Sequence, residues 1–213
     1  MDSAFTYFAT LLYWGLTLYE WVVIIAILLS WVNPDPRNTV MLFINGMTHP
    51  YWNWLRPYLP GQIQMFTAYI SLLLIWFLKV FLPGTVGAIG DWVAGRITEG
   101  ALAVQVSGYF LMGLGLVMQN FLFFLILLFL IWFFLTLVSP SPNNAIVRTV
   151  YVLVDPFISP VQRRLPRMRI DLSPLVVAGI CFVISFFVVS NLIVFATGLT
   201  SYGHLGLPVG PIH

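Results

Sequence analysis

Four guanidinium groups crowd into seven residues at Arg163, Arg164, Arg167 and Arg169. Guanidinium is a fixed cation whose planar donors match phosphate and carboxylate oxygens. An apolar stretch begins at Leu175, so the cluster stands at a membrane edge, where each cation near anionic headgroups contributes ~1 kcal/mol. The same cluster would also set membrane topology unaided. Docking on lipid or a partner, and topology alone, both stand open. Asp155 and Asp171 flank the arginines. Each carboxylate suits the start of a helix or a hold on one arginine.

A second set lies inside apolar sequence. Glu20 precedes Asn33 by thirteen residues, and Lys79 follows Met65 by fourteen. At ~1.5 Å per residue both sit roughly 20 Å from the same helix ends. Charges at such depth are costly alone, so the two are expected to face each other as an intramembrane ion pair. Lys79 can also snorkel outward. A contact with a partner protein, or part of a proton or ion path, are the competing roles. Gln119, Asn120 and Asn191 also share a depth, near the opposite ends of their spans. Interhelical amide hydrogen bonds are expected to satisfy them.

Other chemistry is poorly supplied. His49 precedes a proline, His204 lies in a glycine-rich tail and His213 is the last residue, so no histidine is placed for transmembrane haem ligation. Cys181 stands alone in an apolar run, which excludes an intrachain disulfide and a thiolate cluster. Serine, histidine and acid do not converge on a triad, and no phosphate loop or metal motif is present. The expectation is a protein that is not an enzyme, with no cofactor, no metal and no direct nucleic-acid partner.

The elements carrying these residues follow from hydropathy. Apolar residues make up 60% of the chain, charged residues 8%, and the mean hydropathy is +0.96. Soluble domains hold about 25% charged residues, so a water-exposed fold is excluded. A helix crossing the hydrocarbon needs about 20 apolar residues. Residues 11–32, 66–82, 109–138 and 175–199 qualify, the second short enough to suggest local thinning and the third long enough to tilt. The fold class is therefore all-α, with four transmembrane helices. Asp2 is the only early charge, and the first run reads as a retained span rather than a cleaved leader. Pro34 and Pro140 stop the first and third spans. Ser173 is expected to cap the fourth, with Pro174 in its first turn. Trp52, Trp54 and Trp92 suit an interfacial belt.

Seven of the nine basic residues lie between the first and second spans (Arg37, Arg56) or between the third and fourth (Arg148 and the cluster). An even number of spans puts both loops on one side. The positive-inside bias makes that side cytoplasmic, with both termini outside.

A shift of 106 positions superposes the two halves without a gap. Pro34, Pro36, Asn38, Pro50, Leu59 and Pro60 fall on Pro140, Pro142, Asn144, Pro156, Leu165 and Pro166. Each half contributes two spans, so the copies run parallel. The organisation is a first repeat over 1–83, an external linker over 84–108, a second repeat over 109–200 and an external tail over 201–213. Each internal loop carries an amphipathic stretch: Val40, Phe43, Ile44, Met47 and Tyr51 after Asn38, and Ile146, Val150, Leu153 and Phe157 after Asn144. These either lie flat in the interface or pack on the spans.

The second loop is the most specific part of the chain. Asp155-Pro156-Phe157-Ile158-Ser159-Pro160-Val161-Gln162-Arg163-Arg164-Leu165-Pro166, followed by Ile170-Asp171-Leu172-Ser173-Pro174, resembles the YggT family, also called YlmG. Ser30-Trp31-Val32-Asn33-Pro34 is similar to the family's helix-end motif. The first copy departs from the pattern, with Arg56-Pro57-Tyr58 opposite Gln162-Arg163-Arg164 and Met65-Phe66-Thr67-Ala68 opposite Asp171-Leu172-Ser173-Pro174. The resemblance implies a multi-pass protein of a bacterial inner membrane, or of plastid membranes. It further implies roles in assembling membrane complexes, cytochrome b haem maturation, nucleoid or division organisation, or osmotic tolerance, and no catalytic activity.

The expected function is a non-catalytic scaffold, assembly factor or accessory subunit. Its partners would be the bilayer, anionic lipids and another integral membrane complex (respiratory, photosynthetic or cytochrome), or further copies of itself. The alternative is an osmotic-stress ion pathway or small channel component.

Overall fold

The computed structural model describes residues 2–32, 35, 37–138, 144–163 and 171–201. All regular structure within them is helical. In chain order the helices are α1 (Asp2–Val32), α2 (Thr39–Leu55), α3 (Thr67–Val93), α4 (Glu99–Val138), α5 (Ala145–Gln162), α6 (Ser173–Ile184) and α7 (Ser190–Thr200). Short 3-10 turns, Arg56–Tyr58 and Gly61–Phe66, join α2 to α3. A π-helical segment, Ser185–Val189, joins α6 to α7 as one continuous span. The stretches Ala4–Val32, Gly61–Val93, Glu99–Val138 and Ser173–Thr200 are long and apolar enough to cross a membrane.

The duplication is visible in element boundaries. α1 and α4 end at Val32 and Val138, α2 and α5 begin at Thr39 and Ala145, and α3 and α6 begin at Thr67 and Ser173. Every pair is separated by the 106-residue shift of the sequence. Burial repeats too: Val23 and Phe129, Ile44 and Val150, Thr48 and Val154, and Ile75 and Cys181 are buried pairs. Proline positions therefore mark a repeated three-helix unit, span, loop helix and span. Pro34 and Pro140 themselves lie outside the described residues.

The spans form a row. α1 packs on α3, α3 on α4, and α4 on both α6 and α7. Small residues permit close approach in such contacts. A Cβ on Gly108 of α4 would lie 2.9 Å from the Thr200 backbone nitrogen and 3.1 Å from the Ala196 carbonyl oxygen of α7.

The second span is not short. α3 continues past Pro83 to Val93, so bilayer thinning is not required. Proline removes the N–H that would reach the Lys79 carbonyl and is tolerated within an apolar span packed among other helices; in the turn that follows, the Thr85 hydroxyl donates to the Phe81 and Leu82 carbonyls. Residues 84–108, read as a linker, form the end of α3, a tight turn and the opening of α4. Gly95 takes φ +72°, a left-handed conformation that costs glycine little. Arg96 pairs with Asp91 at 2.5 Å, and the Thr98 hydroxyl accepts from the Ala101 N–H.

Both loop helices pack on the spans. Ile44, Thr48 and Leu55 form the buried stripe of α2, and Val150, Val154 and Ile158 that of α5. Of the side chains picked out by the sequence pattern, Ile44 and Val150 are buried, whereas Val40, Phe43, Met47 and Phe157 are exposed. The side chain of Ile146 is outside the described set. These helices are apolar on more than one face, so a bundle-packing stripe and an exposed apolar face coexist. α2 lies against α1 and α3; α5 lies against α4 and α6 and also reaches α1. The larger core joins Leu125, Leu128 and Phe129 of α4, the α5 stripe, and Val177, Ala178 and Cys181 of α6, with Trp31 of α1 packed against it.

Candidate functional site

Glu20 on α1 and Lys79 on α3 meet, as their common depth requires. Lys79 Nζ donates to Glu20 Oε2 at 2.5 Å, and Trp76 Nε1 donates to Glu20 Oε1 at 2.8 Å. The Lys79 and Glu20 side chains are 21% and 14% exposed, so both charges are largely withdrawn from the protein surface. The ammonium also lies 5.8 Å from the centre of the Tyr13 ring, within reach of a cation–π attraction. Both carboxylate oxygens thus have a donor, which is the condition for keeping such a charge inside a membrane. Sequence reasoning missed Trp76 and Tyr13. Trp76 stands three residues before Lys79 and Tyr13 seven before Glu20, spacings that share a helix face and could have revealed them.

A belt of polar aromatic contacts ties α2 to the spans next to this pair. Tyr19 OH donates to the Met47 carbonyl at 3.1 Å. Tyr51 OH donates to the Ser71 carbonyl at 3.2 Å and Trp52 Nε1 to Ser71 Oγ at 3.0 Å. Burial, with Tyr19 adding repulsion between the two phenols, pushes Tyr51 up to about 12, so it stays a neutral donor. Nearer the helix ends Trp31 Nε1 donates to Tyr69 OH at 2.8 Å. Trp52 is therefore a tether rather than a free interfacial ring, whereas Trp54 and Trp92 are exposed as an interfacial belt requires. The signal for Ser71 is weak: one hydroxyl in an apolar helix.

The three amides do not behave as expected. Gln119 and Asn120 are half-buried on α4, but Asn191 is exposed, and its Nδ2 donates to the Phe187 carbonyl of its own span at 2.6 Å. No hydrogen bond joins Asn191 to Gln119 or Asn120 among the described residues. For Asn191 the carbonyl one turn back along its own span is simply the nearer acceptor, as polar side chains in helices often find. In the π-helical segment just before it, the Ser185 carbonyl accepts both the N–H and the hydroxyl of Ser190.

At the second loop, Arg163 follows the end of α5 in an exposed turn. Arg164, Arg167 and Arg169 lie outside the described residues. Asp171 performs the capping assigned to Ser173: its Oδ1 accepts from the Ser173 N–H at 2.9 Å, and Ser173 is already the first, buried residue of α6. Gln162 Nε2 donates to Asp171 Oδ2 at 2.5 Å, closing the loop between α5 and α6. Burial raises the Asp171 carboxyl, but the Ser173 and Gln162 hydrogen bonds outweigh it and hold the group below its usual value. Asp155 sits mid-way along α5, half-buried, and starts no helix. On the α4–α5 face Phe129 meets Phe157 edge-on and Trp132 tilts on Tyr151.

The repeated geometry coincides with a known pattern. A family model described as CCB3/YggT matches residues 5–86 and again 111–192, two copies offset by the same 106 positions as the helices. The chain belongs to the CCB3/YggT family. Neither a curated protein nor a solved structure matches it. Both family-model copies take in a span, a loop helix and a following span, so the family unit is the three-helix unit seen here. Glu20 and Lys79 lie within the first copy, opposite Ile126 and Ser185 in the second. The ion pair thus belongs to one copy and is no part of the duplicated frame.

Proposed function

We propose that this CCB3/YggT protein is a non-catalytic scaffold, an accessory or assembly subunit that docks on another integral membrane complex. The observation that carries the reading is the single row of spans. Its broad sides leave large side chains outward, among them Leu11, Leu18 and Trp21 of α1, Phe123 and Phe134 of α4, and Phe186 of the π-helical segment. Lipid or a partner's apolar helices would cover them equally well, and dispersion with shape fit, not hydrophobic expulsion, would select the partner. On the loop side, the arginines beginning at Arg163 would add attraction for anionic headgroups or an acidic partner surface. The basic loops favour the cytoplasmic side of a bacterial inner membrane, with both termini outside.

Transport is the weaker reading. Glu20 and Lys79 bind each other, and a row of four helices encloses no path of its own. A respiratory, photosynthetic or cytochrome complex is the expected class of partner, and self-association the alternative. Gentle solubilisation at native abundance, followed by native gel and mass spectrometry, tests the proposal. A reproducible stoichiometric membrane partner is expected. A lone monomer, or copies of this chain only, would count against docking on another complex. Ion flux in proteoliposomes that Glu20→Ala abolishes would favour transport instead.

A further inference from the structure

A half-open cavity of about 390 Å³ lies between the two repeats, lined by residues from the end of α1, from α2, from the two 3-10 turns that follow it (Arg56, Gln64 and Met65), from the start of α3 and by the α5 residue Thr149. The volume falls within the usual ~300–1,000 Å³ of small-molecule sites. Its walls are held in place by internal bonds: Trp31 to Tyr69, Trp52 to Ser71, Gln64 to the Leu59 carbonyl, and Thr67 to the Gln64 carbonyl. Among the described residues of the lining Arg56 is the one that carries a charge. The Thr67 N–H is already taken by the Gln64 carbonyl of the preceding 3-10 turn, so the start of α3 leaves no open donor there. The Arg56 guanidinium supplies the positive charge, beside indole and phenol walls.

Its height specifies the occupant. Trp31 is the last residue but one of α1 and Thr67 the first of α3, so the cavity lies where the spans leave the apolar layer. We infer that it binds the phosphate of an anionic phospholipid headgroup, with the glycerol and upper acyl carbons against Trp31, Trp52 and Tyr69. The lipid would act as a wedge between repeats, because Thr149 belongs to the second copy and the other lining residues to the first. This site is separate from the Arg163 loop and does not depend on the docking proposal.

Native mass spectrometry of the detergent-purified chain, titrated with phosphatidylglycerol or phosphatidylcholine, reads the site. The expected result is one tightly retained phosphatidylglycerol, bound at least tenfold more weakly by Arg56→Gln and to an intermediate degree by Arg56→Lys. Thr149→Trp, which fills the cavity and keeps the cation, should abolish retention as well. Melting in detergent confirms that each variant is folded, and Arg37→Gln controls for loss of charge elsewhere in the same loop. Equal retention by wild type and Arg56→Gln overturns the site, as does an equal loss with Arg37→Gln. Displacement by millimolar inorganic phosphate overturns the lipid as occupant and assigns the cavity to soluble phosphate.

Discussion

Trp76 donates its indole N–H to the Glu20 oxygen that Lys79 does not bind, 2.8 Å away across the α1–α3 contact. The carboxylate is therefore held by a cation and a neutral donor on one helix. Removing either donor should have a distinct cost.

Lys79→Met leaves a carboxylate in an apolar span with a single neutral donor. Breaking a buried pair typically costs about 3–5 kcal/mol, whereas replacing both partners is close to neutral. Lys79→Met and Glu20→Gln should each lower stability markedly in mild-detergent unfolding, and the Glu20→Gln/Lys79→Met double variant should recover most of the loss. Additive losses would show that the charges are not coupled. Trp76→Phe should cost less, about 1 kcal/mol, the net worth of one hydrogen bond.

The loop side is testable by chemistry. In a Cys181→Ser background, cysteines at positions 37 and 163 should react with an impermeant thiol reagent from one side of the membrane, and a cysteine at 98 from the other. The helix count between them demands this whichever side is cytosolic. Labelling of 37 and 163 from opposite faces would contradict the parallel repeat.

Close approach of α4 and α7 should make Gly108 intolerant. A methyl there meets backbone atoms that cannot swing aside, so Gly108→Ala should cost about 1–3 kcal/mol as overpacking. Gly179→Ala has open space within 4 Å and should be neutral or slightly stabilising through helix propensity. Thermal unfolding in detergent separates the two.

Asp171 links stability to acid pH. Its folded-state carboxyl lies below the unfolded value, so its contribution is present above that value, about pH 4, and is lost as pH falls through the folded one. Asp171→Ala should cost about 1 kcal/mol near neutrality, as loss of a helix cap does. The wild type's advantage should shrink toward zero in strong acid. A difference independent of pH would assign the effect to packing rather than the carboxylate.

Much of this architecture is legible in the residues because its determinants are local or periodic. Loop prolines locate the repeat, hydropathy locates the spans, and equal distance from helix ends pairs Glu20 with Lys79. Tertiary detail was not legible in the same way. Pro83 reads as a terminus, yet α3 runs on through it to Val93, as an apolar span packed among other helices can. Asn191 reads as a cross-helix donor, yet it turns to the Phe187 carbonyl one turn back in its own span, an acceptor nearer than any neighbouring helix supplies. The Arg56 cavity needs two repeats folded together before its walls exist, so no window along the chain contains it.

The π-helical turn sets the rotational phase of the last span. Ser173, Val177, Cys181, Ser185 and Val189 are buried at every fourth position. In an uninterrupted α-helix, four residues overshoot a full turn by about 40°, so such a series would spiral away from its neighbour. The wider turn beginning at Ser185 winds the series back, and Val189 remains fully enclosed instead of rotating out toward lipid. Deleting one residue within 185–189 would restore regular winding, and it would also turn the far half of the span, with Ala196 and its seat beside Gly108, to a different azimuth.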